Sequence, residues 1–357
     1  MASNQQQTIL ITGVSSWWGE RLARRLVTHP EYRVLGLDTE LPSAPVPGLH
    51  FTQADIRNPL LVELLRAEQV TQVCHLAFRL SERPNEQAFD FNVMGSMKVL
   101  GASAAAGVQR ILWLSSTAVY GALPKNPAYL TEQHPLEGSK TYGYTRDLVE
   151  VEAFCNGFRQ QHPQISLTIL RAANIIGPRC DTPMTRFLSQ PLPPTLLGFD
   201  PMMQFIHEDD VVAALEQAVV QPAGGVFNLA AADHLPLSKA LGLAGKLPLP
   251  VFHMLAYWGR DLTAGNLFGR LSIGLDYLRY RWVADLTRLH SEFGFQASIP
   301  AEQALRRYAV ERQSGKAVPG SLLRPYDFER FRSLFQEQKE RRQQAGRENQ
   351  SGEAQDV

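Results

Sequence analysis

The 357-residue chain is short of cysteine, of net charge and of long apolar runs. Its three cysteines (Cys74, Cys155, Cys180) are too few and too scattered for a disulfide framework. No Cys-x-x-Cys or His-Glu-x-x-His spacing marks a metal site. A reduced, cytoplasmic compartment is the expectation. Lys and Arg number 35 and Asp and Glu also 35, so the basic excess typical of a nucleic-acid binder is missing. No run of about 18 apolar residues is present to span a membrane as a helix. The most apolar long stretch, 235–257, is interrupted by Lys239, Lys246 and Pro236, Pro248 and Pro250. The opening residues MASNQQQTILITG have neither the basic region nor the apolar core of a signal peptide. What the chain does have is 44% hydrophobic residues against 20% charged, enough for a substantial core.

Strand-like and helix-like segments alternate through the first half. Thr8–Ile11, Arg33–Asp38, His50–Asp55, Val70–Ala77, Gln109–Ser115 and Ser166–Arg171 read as strands. Gly19–Val27, Leu60–Glu68, Ala88–Ala106 and Tyr142–Arg159 read as helices. Such alternation implies βαβ units and a doubly wound parallel sheet, a Rossmann-type α/β fold. Residues 1–178 are expected to form this domain, with 204–230 returning to it. The proline-rich 179–203 and the segment 231–335 are expected to form a smaller, mostly helical substrate domain. Residues 336–357, rich in Gln, Glu and Arg and free of aromatics, are expected to be a disordered tail.

Two places carry chemistry. At the first strand–helix junction, Gly13 and Gly19 keep the outer glycines of a Gly-x-x-Gly-x-x-Gly loop, while Ser16 stands at the middle one. Such a loop brings backbone N–H groups against a pyrophosphate at a helix N-terminus. Asp38 ends the second strand, 19 residues after Gly19, where a carboxylate accepts both adenosine ribose hydroxyls. It would repel a 2′-phosphate, which favours NAD over NADP. The bland alternative is that Asp38 caps the following turn. Trp17 and Trp18 either flank the diphosphate or belong to the core. The second place pairs Ser116, at a strand end, with Tyr142 and Arg146, spaced i and i+4 on a helix. A tyrosine acting near neutrality needs its titration lowered by roughly 3 pH units, about 4 kcal/mol, and a fixed cation supplies part of that. Ser116 as a strand-end hydroxyl and Tyr142 as a helix-start aromatic are the structural alternatives.

Taken in order, Thr12-Gly13…Gly19, Ala54-Asp55-Ile56, His75-Leu76-Ala77, Asn92-Val93-x-Gly95-Ser96, Ser115-Ser116-x-x-Val119-Tyr120-Gly121, Tyr142-Gly143, Leu170-Arg171-x-x-Asn174-x-x-Gly177-Pro178-Arg179, Phe205-Ile206-His207-x-x-Asp210-Val211 and Leu289-x-x-x-Phe293-Gly294-Phe295 resemble the extended short-chain dehydrogenase/reductase family, NAD-dependent epimerase/dehydratase branch. The resemblance spans about residues 8–310. It implies an NAD-dependent enzyme with Tyr142 as acid/base and Ser116 ordering the reacting oxygen. It further implies Asp55 and Ile56 beside the adenine, Leu76, Ala77 and Phe78 along the nicotinamide-side phosphate and ribose, Asn92 and Ala173 close by, and Asn174 and Arg179 at the substrate. His75 and His207 read as structural.

Two departures stand out. Arg146 replaces the family's lysine, so the tyrosine is less well tuned or the site has shifted. Met203-Gln204 stand where nucleotide-sugar enzymes place an arginine and an acid before Phe205-Ile206-His207, and Tyr280-Arg281-Trp282-Val283-Ala284-Asp285 replaces their Arg-Pro-Gly-Asp segment. A diphosphate buried without cations is costly, so a less charged hydroxyl or keto compound is expected, with an apolar lid over 247–268 (Phe252, Trp258, Phe268). A nucleotide-sugar 4-epimerase using Arg179 or Arg186 for grip, and a non-catalytic NAD-binding sensor, remain the alternatives. The family resemblance also implies a homodimer, through the 88–106 and 142–159 helices.

Overall fold

A computed structural model describes residues 6–221, 223–254, 256 and 273–314. Seven parallel strands form one sheet in the order β10-β6-β5-β4-β1-β2-β3. They are β1 (Gln7–Thr12), β2 (Tyr32–Asp38), β3 (Leu49–Gln53), β4 (Val70–His75), β5 (Arg110–Ser116), β6 (Ser166–Ala172) and β10 (Gly225–Leu229). Buried apolar side chains cover both faces, as continuous runs such as Ile9-Leu10-Ile11 require. One face packs on α1 (Trp17–Leu26) and α7 (Glu208–Val220) through Leu22, Leu26, Val211 and Leu215. The other packs on α2 (Leu61–Ala67), α4 (Gly95–Ala106) and α5 (Gly143–Gln161) through Leu65, Val99, Leu148 and Val151.

Chain order reverses between β1 and β4, with β2 and β3 on one side and β5, β6 and β10 on the other. At such a switch point the connecting loops diverge above the strand C-termini and leave a crevice. The polar floor beneath it is satisfied: His75 at the end of β4 bonds Thr12 Oγ1 at 2.6 Å and Ser96 Oγ at 2.8 Å. Burial lowers its pKa to about 4, so the ring is neutral at pH 7. Arg171 on β6 is equally buried; its guanidinium donates to both oxygens of Glu152 on α5, and Ser115 Oγ and Tyr120 join the same network.

Two expectations need correction. The helix read over 88–106 is interrupted: α3 (Glu86–Phe89) passes through one wide turn at Asp90–Met94 before α4 starts at Gly95. Asn92 sits in that turn with its side chain bonded to the protein interior. The helix read from Tyr142 begins one residue later, with Tyr142 extended at φ −108° and ψ 112°. Where 231–335 is described, helical residues far outnumber strand residues, in keeping with the expected mostly helical region. Short pieces alternate there: β11 (His234–Pro236), α8 (Leu237–Leu243), β12 (Leu249–Val251), a tight helical turn at Leu275–Leu278, a wide one at Leu289–Phe293, and α9 (Ala301–Ser314). β11 pairs with β9 (Met202–His207), which also pairs with β7 (Asn174–Ile176). The expected tail, 336–357, lies outside the described residues, as do Trp258 and Phe268 of the expected lid; Phe252 is exposed.

Candidate active site

The glycine loop is built by steric need. Gly13 has φ +72°, and a Cβ there would fall 2.5 Å from the Ala77 backbone nitrogen. A Cβ on Gly19 would fall 2.3 Å from the Gly13 carbonyl. Ser16, at the position where a middle glycine was expected, knots the loop instead. Its hydroxyl donates to the Gly13 carbonyl at 2.6 Å and accepts from Gly19 N–H at 3.1 Å, which caps α1. The N–H groups of Trp17 and Trp18 head the helix, where no carbonyl of the same helix can reach them. Asp38 caps the turn, the structural alternative for its position, and also braces the loop. Its Oδ2 accepts from Ser15 N–H at 3.0 Å, tying β2 to the loop, and its Oδ1 accepts from Thr39 N–H at 2.7 Å, capping the turn.

Above this loop lies a cavity of about 350 Å³, within the range of cofactor pockets. Ser16, Trp17, Trp18, Leu76, Ala77 and Phe78 line it, together with Tyr144 and Arg186. A second pocket of about 30 Å³ holds Ser116, Tyr142, Ala173 and Asn174 with Tyr277 and Trp282. Tyr144, Ile175 and Pro183 line both, so the two spaces share a wall. The expected residues thus divide into a cofactor-side group and a hydroxyl-side group that meet at Tyr144.

Several expected residues do other work. Arg146 does not face either cavity. Asp147 is fully buried and needs a cation, and Arg146 supplies it through Nε at 2.8 Å, while Nη2 donates to the Asn85 carbonyl and the guanidinium lies over Phe89. The extended backbone at Tyr142 also removes the shared helical face on which the Tyr142–Arg146 pairing rested. Asn92 is consumed by the same cluster: Oδ1 accepts from Arg79 N–H, and Nδ2 donates to the Arg79 carbonyl and to Asp147. Ile56 is core beneath Gly95, and Asp55 is held by the Arg57 guanidinium, which keeps its carboxyl below the usual range. Arg179 is exposed and lines neither cavity. Met203 is buried in the core, so no cation stands at that position.

Burial raises the Tyr142 phenol well above its ordinary value, Tyr144, Tyr277 and Glu82 add to the rise, and Arg186 is the cation that opposes it. Tyr144 is the residue that sequence reading missed. Burial raises its phenol too, and a hydrogen bond to Ser116 pulls it back. Its only sequence signal is its place two residues after Tyr142. Tyr277, whose hydroxyl donates to the Ala118 carbonyl at 2.6 Å, had no signal at all.

Comparison with known proteins decides the family. Residues 9–230 match the model of the NAD dependent epimerase/dehydratase family. The chain belongs to the NAD-dependent epimerase/dehydratase family. It is an enzyme of that family, with NAD as cofactor and oxidoreductase or epimerase chemistry. An uncharacterised protein of Mycobacterium tuberculosis is 34% identical over 313 residues, 85% of this chain and 83% of the relative. A UDP-glucose 4-epimerase of Mycolicibacterium smegmatis is 30% identical over 186 residues, 48% of this chain and 57% of that protein. Among solved structures, the Thermotoga maritima UDP-glucose 4-epimerase with UDP-glucose aligns at TM-score 0.67 and 19% identity, covering 87% of this chain and 99% of its own. That likeness supports the Rossmann-like fold. The loop in this family member fits the dinucleotide: Gly13 and Gly19 admit no side chain, and the cavity opens at the head of α1. Among the described residues, no helix is long and apolar enough to cross a membrane.

Proposed function

We propose that the chain oxidises a carbinol, or reduces the matching ketone, of a small neutral molecule whose reacting end enters the 30 Å³ pocket beside the cofactor cleft. One observation carries this reading: the space holding Ser116 and Tyr142 shares a wall with the cleft above the glycine loop. NAD, when bound, would supply the hydride acceptor for oxidation, and NADH the hydride donor for reduction. Ser116 would order the reacting oxygen; Tyr142, kept protonated by burial, would return a proton on reduction and would take one on oxidation only beside the positive charge of the oxidised nicotinamide. Tyr144, bonded to Ser116, would fix the serine rotamer. Asp38 supports NAD over NADP, because its charge opposes a 2′-phosphate. Trp17, Trp18, Leu76, Ala77 and Phe78 would line the dinucleotide, and Arg186, not Arg179, is the cation available at the cleft.

A nucleotide-sugar 4-epimerase is the second reading, and Arg186 on the cleft wall is what favours it. Against it, Arg186 is already bonded by Asp181 through two contacts at 2.7 Å. The proposal also includes a cytoplasmic homodimer through α4 and α5, which pack side by side. The three buried free thiols suit a reducing compartment. The test is a screen of NADH oxidation and NAD reduction over apolar alcohols and ketones and over UDP-glucose epimerisation. Tyr142→Phe should abolish turnover of whichever compound reacts and spare NAD binding. Unchanged turnover would reject Tyr142 as the acid/base, and turnover of UDP-glucose alone would favour the second reading.

A further inference from the structure

Trp282 belongs to the segment that stands where nucleotide-sugar enzymes carry Arg-Pro-Gly-Asp, and it lines the small pocket opposite none of their cations. The residue is 6% exposed, and its indole N–H finds no acceptor among the described residues. Such a donor is costly to bury unmatched, and its residue borders a pocket, so an acceptor that arrives with a ligand would satisfy it. The ring has an aromatic neighbour and the backbone around it is fixed. It stacks edge-on against Tyr277 at 5.0 Å, Asn126 bonds the preceding Arg281 carbonyl, Leu130 N–H donates to the following Val283 carbonyl, and Gln204 bonds both backbone groups of Ala284. The N–H therefore has little freedom to seek another partner.

The rest of the wall sets the chemical class. Among the described residues lining this pocket none is charged; its polar groups are the hydroxyls of Ser116, Tyr142, Tyr144 and Tyr277 and the amide of Asn174. An anionic group would enter without a cation, which is unfavourable. A volume of about 30 Å³ admits roughly two water-sized groups, so only the reacting end of a substrate fits.

We propose that Trp282 Nε1–H donates to a second, non-reacting oxygen next to the carbinol or ketone that Ser116 orders, so that the substrate ends in a neutral hydroxy-ketone or vicinal diol. This rests on the reading that the substrate occupies this pocket. The residue would set which end of the molecule enters and would not take part in proton transfer.

The chain has five tryptophans, and indole ¹⁵N–¹H spectra report on each N–H separately. Trp17, Trp18 and Trp113 line the cofactor cleft and Trp282 the inner pocket, so one spectrum separates the two claims. NADH is added first, then acetoin as a hydroxy-ketone probe, with 2-butanone as the control lacking the second oxygen. The expected result is that NADH moves the cleft indoles and acetoin then shifts the Trp282 proton downfield, while 2-butanone does not. Trp282→Phe, which keeps a ring against Tyr277, should weaken acetoin binding about five-fold and leave 2-butanone binding unchanged. Should that variant fail to fold, sequential assignment of the native spectrum identifies the Trp282 peak. Cleft indoles that respond to NADH with a Trp282 signal indifferent to acetoin overturn the inference and leave the cofactor reading standing. No response of any indole to NADH overturns both.

Discussion

Replacing Asp38 with Asn removes one charge at the end of β2 without changing side-chain size. The two carboxylate oxygens accept from Ser15 N–H and Thr39 N–H, so an amide there keeps one acceptor and turns an NH₂ toward the other donor. Losing one hydrogen bond to a charged group costs about 1.5–3 kcal/mol of loop order, which weakens both cofactors alike. The charge itself acts on only one of them. A unit charge about 4 Å from a phosphate charge, at an effective dielectric near 20, is worth about 4 kcal/mol. Asp38 is partly exposed, and salt screens exposed charges over about 8–10 Å, so roughly 1.5–3 kcal/mol of that survives. The NADP-to-NAD affinity ratio should therefore rise about 10- to 100-fold, more at low salt than at high. Calorimetric titration of native and Asp38→Asn protein with each cofactor, at two salt concentrations, measures it. An unchanged ratio would refute the assignment of Asp38 to the ribose site and leave it as a turn cap.

Gly13→Ala should abolish NAD binding and lower the unfolding midpoint, since the new Cβ meets the Ala77 backbone at 2.5 Å in a left-handed conformation; cofactor titration and thermal unfolding check both. Arg146→Lys should leave NAD affinity within about two-fold, because Arg146 serves Asp147 and Asn85, and should cost about 1 kcal/mol of stability through the lost Phe89 and Asn85 contacts, read by urea unfolding. His75 is neutral in the fold, with its pKa lowered to about 4 against about 6.5 unfolded. The unfolded chain takes up the proton first, so this contribution, about 3 kcal/mol, is complete above pH 6.5 and is lost as pH falls toward 4. His75→Asn should flatten urea-derived stability over that window, and an equally steep acid limb in the variant would contradict the prediction.

The alternation of strands and helices was legible because the central strands are buried on both faces and the helices on one, which leaves a periodic mark in the sequence; the edge strand β3, which buries no residue, left a weaker one. The loop glycines were legible because only glycine meets that backbone. Where the Arg146, Asn92 and Arg179 side chains point was not legible because it depends on contacts that spacing does not encode: Arg146 bonds the Asn85 carbonyl, Asn92 bonds the Arg79 main chain, and Arg179 turns to solvent. Ser16 shows the same limit in reverse. Its hydroxyl replaces a glycine by folding back onto Gly13 and Gly19, a local hydrogen-bond solution that a glycine pattern does not encode.

Native mass spectrometry of the purified chain, with NAD added at increasing concentration and Gly13→Ala as control, tests the central claim most directly. A complex one NAD heavier than the native chain, absent from the variant, is the predicted result. A native chain that stays cofactor-free at millimolar NAD would contradict it.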